Sequence, residues 1–401
     1  MTDRRPSRGP APLNLQLGVL SLGTFLVGTN GFVIAGLLPD IAEGIGATAS
    51  GVGLSITVYA AVVGVLAPTF ATIFARVPRT VLIAAGMVLT GAGTAVTAIA
   101  GDLPAFIAGR AVAGVGGAAI VPTAVAAAAV MVPASRRARA IAIVTLGFTF
   151  STAIGSPLGA AVAHVGGWRL PLAGVAVLCL ISAVVAALVL RVPSSPPISI
   201  RHRLAVLADP RLLLTLLSTV FTIAAFNIAY IYSSTYTAHA TGGSGALLAG
   251  LLLLYGLGGI AGNQLAGRLT DRYGNRVVAS ILMATHFAVL AVMPLALSSY
   301  AALAVVFVVW GSAAFGTGIA IQDRLVAIDP ARGSVSVSWY STGVYVGIAI
   351  APVVGAATID LFGPPTVPLA AAVAVLVAAA LFAASFLARG RSSDPARGGA
   401  T

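Results

Sequence analysis

Long apolar runs alternate with short polar breaks along almost the whole chain. Twelve runs reach the length of about 20 residues that a helix needs to cross a bilayer. An even number of crossings places both chain ends on the same side. We therefore predict an all-α polytopic membrane protein whose helices cover, approximately, residues 13–38, 47–74, 80–100, 104–132, 138–163, 169–190, 211–236, 245–266, 277–297, 300–322, 333–358 and 366–388.

One polar break is far longer than the others and is rich in proline and arginine, a composition typical of a linker. It divides the twelve runs into two groups of six. The predicted organisation is an N-terminal tail (1–12), a six-helix bundle (13–190), a linker (191–210), a second six-helix bundle (211–388) and a C-terminal tail (389–401).

The two groups of runs repeat each other. A constant shift of 196 residues aligns identical residues in corresponding runs and breaks: Tyr59 with Tyr255, Arg76 with Arg272, Gly147 with Gly343, and Gly159-Ala160-Ala161 with Gly355-Ala356-Ala357. Six crossings return the chain to its starting side, so the two bundles are parallel and pseudo-symmetric. This arrangement is typical of transporters whose site lies between two moving bundles.

Composition and charge support a membrane location. Hydrophobic residues make up 59% of the chain and charged residues only 8%, whereas soluble domains are about 25% charged. The net charge is +12, but the arginines are scattered in small groups, which argues against a nucleic-acid partner. All arginines except Arg110 and Arg169 fall in breaks on the side of the termini. The positive-inside rule therefore predicts an inner-membrane protein with both termini cytoplasmic.

The sequence shows no pattern typical of an enzyme. We find no His/Cys/acid group with metal-ligand spacing, no phosphate-binding loop and no nucleophile–base set. The single Cys179 excludes a disulfide framework. We therefore predict a non-enzymatic protein without cofactor or metal, and a monomer.

A charged segment follows the eighth run and carries the pattern Gly267-x-x-x-Asp271-Arg272-x-Gly274-x-Arg276. We expect a short loop in which Gly267 lets a helix end approach its neighbour closely and Gly274 supplies the positive φ of a tight turn. It resembles the signature loop of the major facilitator superfamily. The repeat places Arg76 and Arg79 at the corresponding break of the first half, where the acid and the second glycine are lost. The resemblance implies a gate held mainly by Asp271 of the second half. The alternative is that both segments only anchor the membrane surface.

Arg110 is the most unusual single residue, because it lies inside the fourth apolar run. An arginine at membrane depth is costly and marks function by default. Gly114, Gly116 and Gly117 follow it and allow close helix packing beside a cavity. This pattern resembles the superfamily's fourth-span motif, which is linked to proton coupling. The alternatives are a structural pairing or a side chain that reaches the outer interface.

The fifth run contains Gly155, Pro157 and Gly159, which predict a kinked helix with a face of small residues. The pattern resembles the family motif associated with exporters, although close packing explains it equally well. The first run, around Gly28–Ala42, resembles the opening span of the twelve-span drug:proton antiporter branch, which includes sugar and nucleoside exporters. Many members carry glutamate where this chain has Gly31.

No acidic residue is predicted near the middle of the membrane, so the obvious proton-binding carboxylate is missing. Asp40, at the outer end of the first run, and His286, in the ninth, remain as candidates. We expect His286 to be packed or at the lipid edge rather than in the site.

Polar and aromatic residues on the predicted cavity-lining helices are candidates for substrate contact, with helix–helix hydrogen bonding as the alternative role. Asn227, Tyr230 and Ser234 share one helix face by spacing. The full candidate set is Asn30, Tyr59, Arg110, Asn227, Tyr230, Ser234, Tyr255, Trp339, Tyr340 and Tyr345.

The resemblance implies a secondary active transporter that exports a small amphipathic drug, antibiotic or metabolite by alternating access, coupled to proton influx. Its partners are then the substrate, protons and the bilayer. Two other functions stay open. One is export or facilitated diffusion of a sugar or nucleoside without proton coupling, and the other is a membrane receptor that does not transport.

Overall fold

The computed structural model describes residues 11–74, 77–133, 136–192, 206–330 and 333–388. Eleven of its helices are long and apolar enough to cross a membrane, and a bent pair makes a twelfth span. The helices are α1 (Leu13–Gly36), α2 (Ala49–Ile73), α3 (Arg79–Ile99), α4 (Leu103–Val130), α5a (Arg137–Phe150), α5b (Ser156–Gly166), α6 (Arg169–Val189), α7 (Pro210–Ile231), α8 (Gly245–Tyr273), α9 (Asn275–Ala296), α10 (Tyr300–Ile328), α11 (Gly333–Phe362) and α12 (Val367–Leu387).

The all-helical membrane fold is therefore confirmed. Most of the predicted linker (193–205) and most of both tails (1–10 and 389–401) lie outside the described residues. We call the face at which α1 begins the terminal face and the opposite one the distal face.

The helix pairs of the first half recur in the second. In the first half α3 packs on α4 and α6, α2 packs on α4, and α1 packs on α5a. At the corresponding places α9 packs on α10 and α12, α8 on α10, and α7 on α11. The sequence repeat between the two halves therefore corresponds to a repeat in helix packing.

The fifth span is bent rather than straight. A π turn, Ser151–Gly155, separates α5a from α5b, and the two parts differ in direction by 43°. Pro157 lies in the first turn of α5b, where its missing N–H removes a backbone hydrogen bond from the break. The predicted kink is confirmed, with a π turn as an additional cause.

The glycine face of this span packs on α1. A Cβ atom on Gly155 would collide with Thr29, and one on Gly159 would collide with Val33. The prediction of close packing between small residues is therefore confirmed.

The signature segment is less of a loop than predicted. α8 continues through Gly267 to Tyr273, and α9 begins at Asn275. Gly274 alone makes the turn, with φ at +80°, which favours glycine. No atom outside its own helix lies within 4 Å of a Cβ built on Gly267. The expected close helix approach at Gly267 is therefore wrong, whereas the turn at Gly274 is confirmed.

The seventh span ends earlier than predicted. α7 stops at Ile231, and the backbone turns at Tyr232 (φ −98°, ψ 14°) into the short helix Ser233–Tyr236. Ser234 therefore does not continue the face of Asn227 and Tyr230, and the predicted three-residue alignment is wrong at its last position.

The two halves meet between the middle of the membrane and the distal face. α2 packs on α11, and α5b packs on α8. A Cβ on Gly256 of α8 would collide with Ala153 in the π turn. A Cβ on Gly53 of α2 would lie 2.6 Å from the Tyr232 hydroxyl. Gly256 lets two backbones approach closely, as is common between membrane helices, and Gly53 makes room for the Tyr232 side chain.

Candidate functional site

Arg110 lies on α4, about 10 Å along the helix from its distal end. Asp102 caps this end by accepting a hydrogen bond from the Ala105 amide at 2.8 Å. The Arg110 side chain is completely buried. Position and burial exclude the alternative in which this arginine reaches the outer interface.

Two helices of the same half hold the guanidinium. Arg110 Nη1 donates to the Asn30 carbonyl oxygen at 2.6 Å and to Asn30 Oδ1 at 3.1 Å. The guanidinium carbon lies 4.3 Å from the centre of the Tyr59 ring, within cation–π range. Tyr59 Oη in turn donates to the Val27 carbonyl at 3.2 Å. The sequence-predicted residues Asn30, Tyr59 and Arg110 therefore form one cluster.

The charge of this cluster is not balanced. Among the described residues, Arg110 Nε and Nη2 and Asn30 Nδ2 are buried without a hydrogen-bond partner. In the described parts of the chain, no carboxylate lies within ion-pair distance of Arg110. A buried charge without a counter-charge costs several kcal/mol, so the protein retains Arg110 at the expense of stability.

Tyr59 packs against glycines of α4. A Cβ on Gly117 would lie 2.9 Å from Tyr59 Oη, and one on Gly114 would lie 3.0 Å from the Tyr59 carbonyl oxygen. The predicted close packing at these glycines is confirmed. Its role is to admit the tyrosine that covers Arg110.

An aromatic cluster occupies the second half at a similar depth. The Tyr255 ring stacks on Phe226, with centres 5.5 Å apart and planes within 8°, and lies 4.5 Å from Trp310. Tyr230 lies 5.2 Å from Phe226. These contacts bring together two predicted residues, Tyr230 and Tyr255. They also add Phe226 and Trp310, which the sequence analysis missed.

Phe32 of α1 links the two halves. Its ring lies 6.0 Å from Phe226 and 5.9 Å from Tyr230, across the interface, and 6.0 Å from Phe148 of its own half. Phe32 is two residues from Asn30, so a search for aromatic residues beside polar ones within an apolar run would have found it.

His286 lies behind this cluster rather than in the site. Trp310 Nε1 donates to His286 Nε2 at 3.1 Å, and both side chains are fully buried. The expectation of a packed His286 is confirmed, whereas the lipid-edge alternative is wrong.

A small cavity lies between the two halves. Its volume is about 10 Å³, which is room for about one water molecule. In this conformation the cavity is smaller than a drug-sized compound. The lining residues are Val27, Gly28, Gly31, Phe32, Tyr59, Phe148, Tyr345 and Ile348.

Several buried polar atoms around this interface have no hydrogen-bond partner within the described residues. Each such atom costs about 1–3 kcal/mol relative to a satisfied one, so unpartnered atoms are rare in folded proteins. They include Thr29 Oγ1, Asn30 Nδ2, Thr222 Oγ1, Asn227 Oδ1, Tyr255 Oη and Tyr345 Oη.

Three other candidates lie away from this cavity. Asp40 is exposed in the short distal helix Leu38–Gly44. Trp339 and Tyr340 are half-buried near the beginning of α11, and the Tyr340 hydroxyl lies 2.8 Å from a Cβ built on Gly318. The structure does not bring these side chains into contact with Arg110.

The described acidic side chains avoid the cavity as well. None of them is fully buried or lines it. Exposed are Asp40, Glu43, Asp102, Asp271, Asp323 and Asp360, and half-buried are Asp209 and Asp329.

The predicted gating residues lie at the terminal face. Asp271 and Arg272 are exposed, and Asp271 has no hydrogen-bond or ion-pair partner among the described residues. Arg79 Nη1 donates to the Ala126 carbonyl at 2.7 Å, which fixes the beginning of α3 against α4. Arg276 lies over the Phe386 ring of α12 at 5.2 Å. Arg76 lies outside the described residues.

Solved structures with a similar fold include two of a bacterial homologue of the human lysosomal transporter Spinster. The inward-facing, occupied form aligns with a TM-score of 0.76 at 16% identity and covers 96% of this chain and 98% of that one. The inward-facing, unoccupied form aligns with a TM-score of 0.71 at 15% identity, covering 93% and 96%. At this identity the likeness concerns the fold alone.

Relatives in sequence span nearly the whole chain. An uncharacterised MFS-type transporter of Bacillus subtilis is 28% identical over 364 residues, which are 90% of this chain and 93% of the relative. A chloramphenicol resistance protein of Streptomyces lividans is 31% identical over 353 residues, or 86% and 89%. The Major Facilitator Superfamily profile matches residues 20–336. With the twelve helices and their repeat, these matches show that the chain belongs to the Major Facilitator Superfamily of membrane transporters.

Proposed function

We propose that this protein exports a small, uncharged amphipathic compound by alternating access, driven by proton influx. The observation that carries the proposal is the small cavity between the two halves. Aromatic rings surround it, unpartnered hydroxyl and amide groups lie near it, and no described carboxylate does. A ligand site with mostly apolar walls and few polar groups suits a compound of this class.

Polar groups in and around the cavity argue for hydrogen bonding to the compound rather than ion pairing. Tyr345 lines the cavity and offers a hydroxyl group. Tyr255 and Asn227, on the helices around it, offer a hydroxyl group and an amide oxygen, and none of these three atoms has a hydrogen-bond partner among the described residues. A bound oxygen or nitrogen atom would satisfy these groups and recover the free energy that they cost in the empty protein. The relative named for chloramphenicol resistance supports a neutral aromatic compound with hydroxyl groups as the first one to test.

Export, rather than uptake, is supported by the bent, glycine-rich fifth span and by the same relative. The arginines between the helices support cytoplasmic termini in an inner membrane. On this orientation the distal face, where the halves meet, is the external one. We propose a monomer, because one chain contains both halves of the cavity.

A second candidate is facilitated exit without proton coupling. The observation that favours it is the exposed or half-buried position of every described carboxylate. A proton-coupled site normally contains a titratable group for which proton and substrate compete.

Efflux into everted membrane vesicles separates these functions. With chloramphenicol as the probe, we expect uptake to rise when an inward-acidic pH gradient is imposed and to fall when the gradient is dissipated. Uptake that ignores the gradient would select facilitated exit. Binding without any flux would indicate a receptor and overturn the proposal. Vesicles without the protein are the control.

A further inference from the structure

A second space in the molecule faces the surrounding membrane. It is a groove of about 360 Å³ between α9 and α12, much larger than the central cavity. Ser280 is the only polar lining residue. The full lining is Ser280, Met283, Ala284, Phe287, Val375, Leu376, Ala379, Phe382 and Ala383.

The residues at this groove differ from those at the corresponding place in the first half. The repeat shift of 196 residues places Phe287 at the position of Gly91 and Leu376 at that of Leu180. A Cβ on Gly91 would lie 3.0 Å from Leu180 Cγ, so only glycine lets α3 and α6 pack so closely. Phe287 puts a full aromatic side chain between α9 and α12 at the same place. The second pair therefore leaves a space that the first pair closes.

Two arginines lie beside the terminal-face end of this groove. Arg324 lies over one ring, Phe386, at 3.8 Å, and Arg276 lies over the same ring at 5.2 Å. Phe386 packs edge-on against Phe382, which lines the groove, with ring centres 5.3 Å apart. Ser280, another lining residue, is one helical turn from Arg276. The two arginines therefore lie directly next to one end of the apolar groove.

Nearby carboxylates are engaged elsewhere. Asp209 forms an ion pair with Arg211 at 2.8 Å, and the hydrogen bond from that guanidinium holds the pKa of Asp209 below its usual range. Asp323 accepts a hydrogen bond from Asn275 at 2.9 Å. Among the described residues Arg276 has no acidic partner, and Arg324 Nε is buried without any partner.

We propose that this groove is a binding site for an anionic phospholipid of the membrane leaflet at the terminal face. One acyl chain lies in the groove, and the phosphate group binds Arg276 and Arg324. From Ser280 to Phe287 the groove runs about 10 Å along α9, about a third of the hydrocarbon core. Arginine is well suited to phosphate because it presents paired N–H donors.

Native mass spectrometry of the full-length protein tests the site. The protein is delipidated in detergent and titrated with phosphatidylglycerol or phosphatidylcholine of identical acyl chains. We expect one phosphatidylglycerol to bind at least tenfold more tightly than phosphatidylcholine. Ala383→Phe fills the groove from its lipid side, and Arg276→Gln removes a charge. Each should weaken phosphatidylglycerol binding at least fivefold.

Matched controls distinguish a specific site from general lipid contact. Val373→Phe introduces the same side chain at an exposed position of α12 outside the groove, and Arg139→Gln removes an exposed arginine of the first half. Neither should change binding. If Ala383→Phe does not fold, Ala284→Phe fills the groove from α9. Equal binding of both lipids, or unchanged binding in the groove variants, would overturn the proposal. The test does not depend on the transported compound.

Discussion

Arg110 is a fully buried, positively charged group that contacts the oxygens of Asn30 and the face of Tyr59. The planar guanidinium contacts Asn30 and the Tyr59 ring at once, whereas lysine carries a compact ammonium group. The cluster therefore depends on the shape of the guanidinium as well as on its charge.

We predict that Arg110→Lys lowers the efflux rate at least tenfold and that Arg110→Ala lowers it further. The compact ammonium group of lysine does not reproduce the planar, delocalised group that contacts Asn30 and the Tyr59 ring together. Efflux into everted vesicles measures the effect, at matched protein levels in the membrane. Arg169→Lys is the control, because Arg169 is exposed at the distal face. Unchanged efflux in Arg110→Ala would contradict a functional role for the cluster.

Tyr255 and Tyr232 provide a matched pair of buried hydroxyl groups. Tyr255 Oη has no partner, whereas Tyr232 Oη donates to the Pro352 carbonyl at 2.8 Å. We predict that Tyr255→Phe raises the melting temperature of the empty protein, because it removes an unsatisfied group worth about 1–3 kcal/mol. It should also weaken binding of the compound.

Tyr232→Phe should lower the melting temperature, because it breaks a satisfied hydrogen bond worth about 1 kcal/mol. Thermal unfolding in detergent and compound binding measure the two effects. If Tyr255→Phe destabilises the empty protein as much as Tyr232→Phe does, Tyr255 has a structural role and not a binding one.

Some residues of the candidate site can be predicted from the sequence, and others cannot. Arg110 is visible because arginine is rare within an apolar run. Its partner Asn30 was a separate candidate, and their contact joins residues 80 positions apart. Phe226 and Trp310 stayed hidden because aromatic residues are ordinary in membrane helices, and only packing shows which of them face the other half.

At the scale of elements, the contact between α1 and the fifth span depends on glycine. Gly147, Gly155 and Gly159 all lie where a Cβ would collide with α1. Replacing one of these glycines by a larger residue would push the two helices apart, which affects more than one local contact.

We predict that Gly155→Ala lowers stability by about 1–3 kcal/mol, the usual cost of overpacking, and reduces efflux. Gly174→Ala is the matched control. Gly174 is exposed in α6, and no atom outside its own helix lies within 4 Å of a Cβ built there. Since alanine favours helix by about 1 kcal/mol over glycine, the control should be neutral or stabilising. Equal melting temperatures for the two variants would refute this account.

The apolar runs predicted all twelve spans, but helix ends were harder to place. α8 continues for seven residues beyond the predicted run, through Arg268 and Arg272. Charge marks where the membrane ends, whereas backbone hydrogen bonding continues until Gly274 turns the chain. At α7 the opposite occurred, because the apolar pattern continues across the turn at Tyr232.

At the scale of the whole molecule, the halves touch from the membrane middle to the distal face, while Asp271 has no described partner at the terminal face. We predict that Asp271→Asn shifts the balance between the two open states more than a substitution of Ala75 does. In a Cys179→Ala background, Phe150→Cys supplies a partly exposed reporter on α5a. Its rate of thiol labelling in everted vesicles measures access from the terminal face.

Asp271→Asn should change this labelling rate at least threefold, and Ala75→Ser should leave it near that of the background protein. Equal labelling in all three proteins would refute a gate at Asp271.

The bend in the fifth span also bears on mechanics. Its counterpart α11 runs unbroken from Gly333 to Phe362, although it contains Pro352. A π turn interrupts the regular hydrogen bonding of an α-helix. The fifth span should therefore bend more easily at this turn than α11 does. We therefore expect the fifth span to bend at Ser151–Gly155 and α11 to rotate as a rigid helix. On this expectation the two pseudo-symmetric bundles change conformation in different ways.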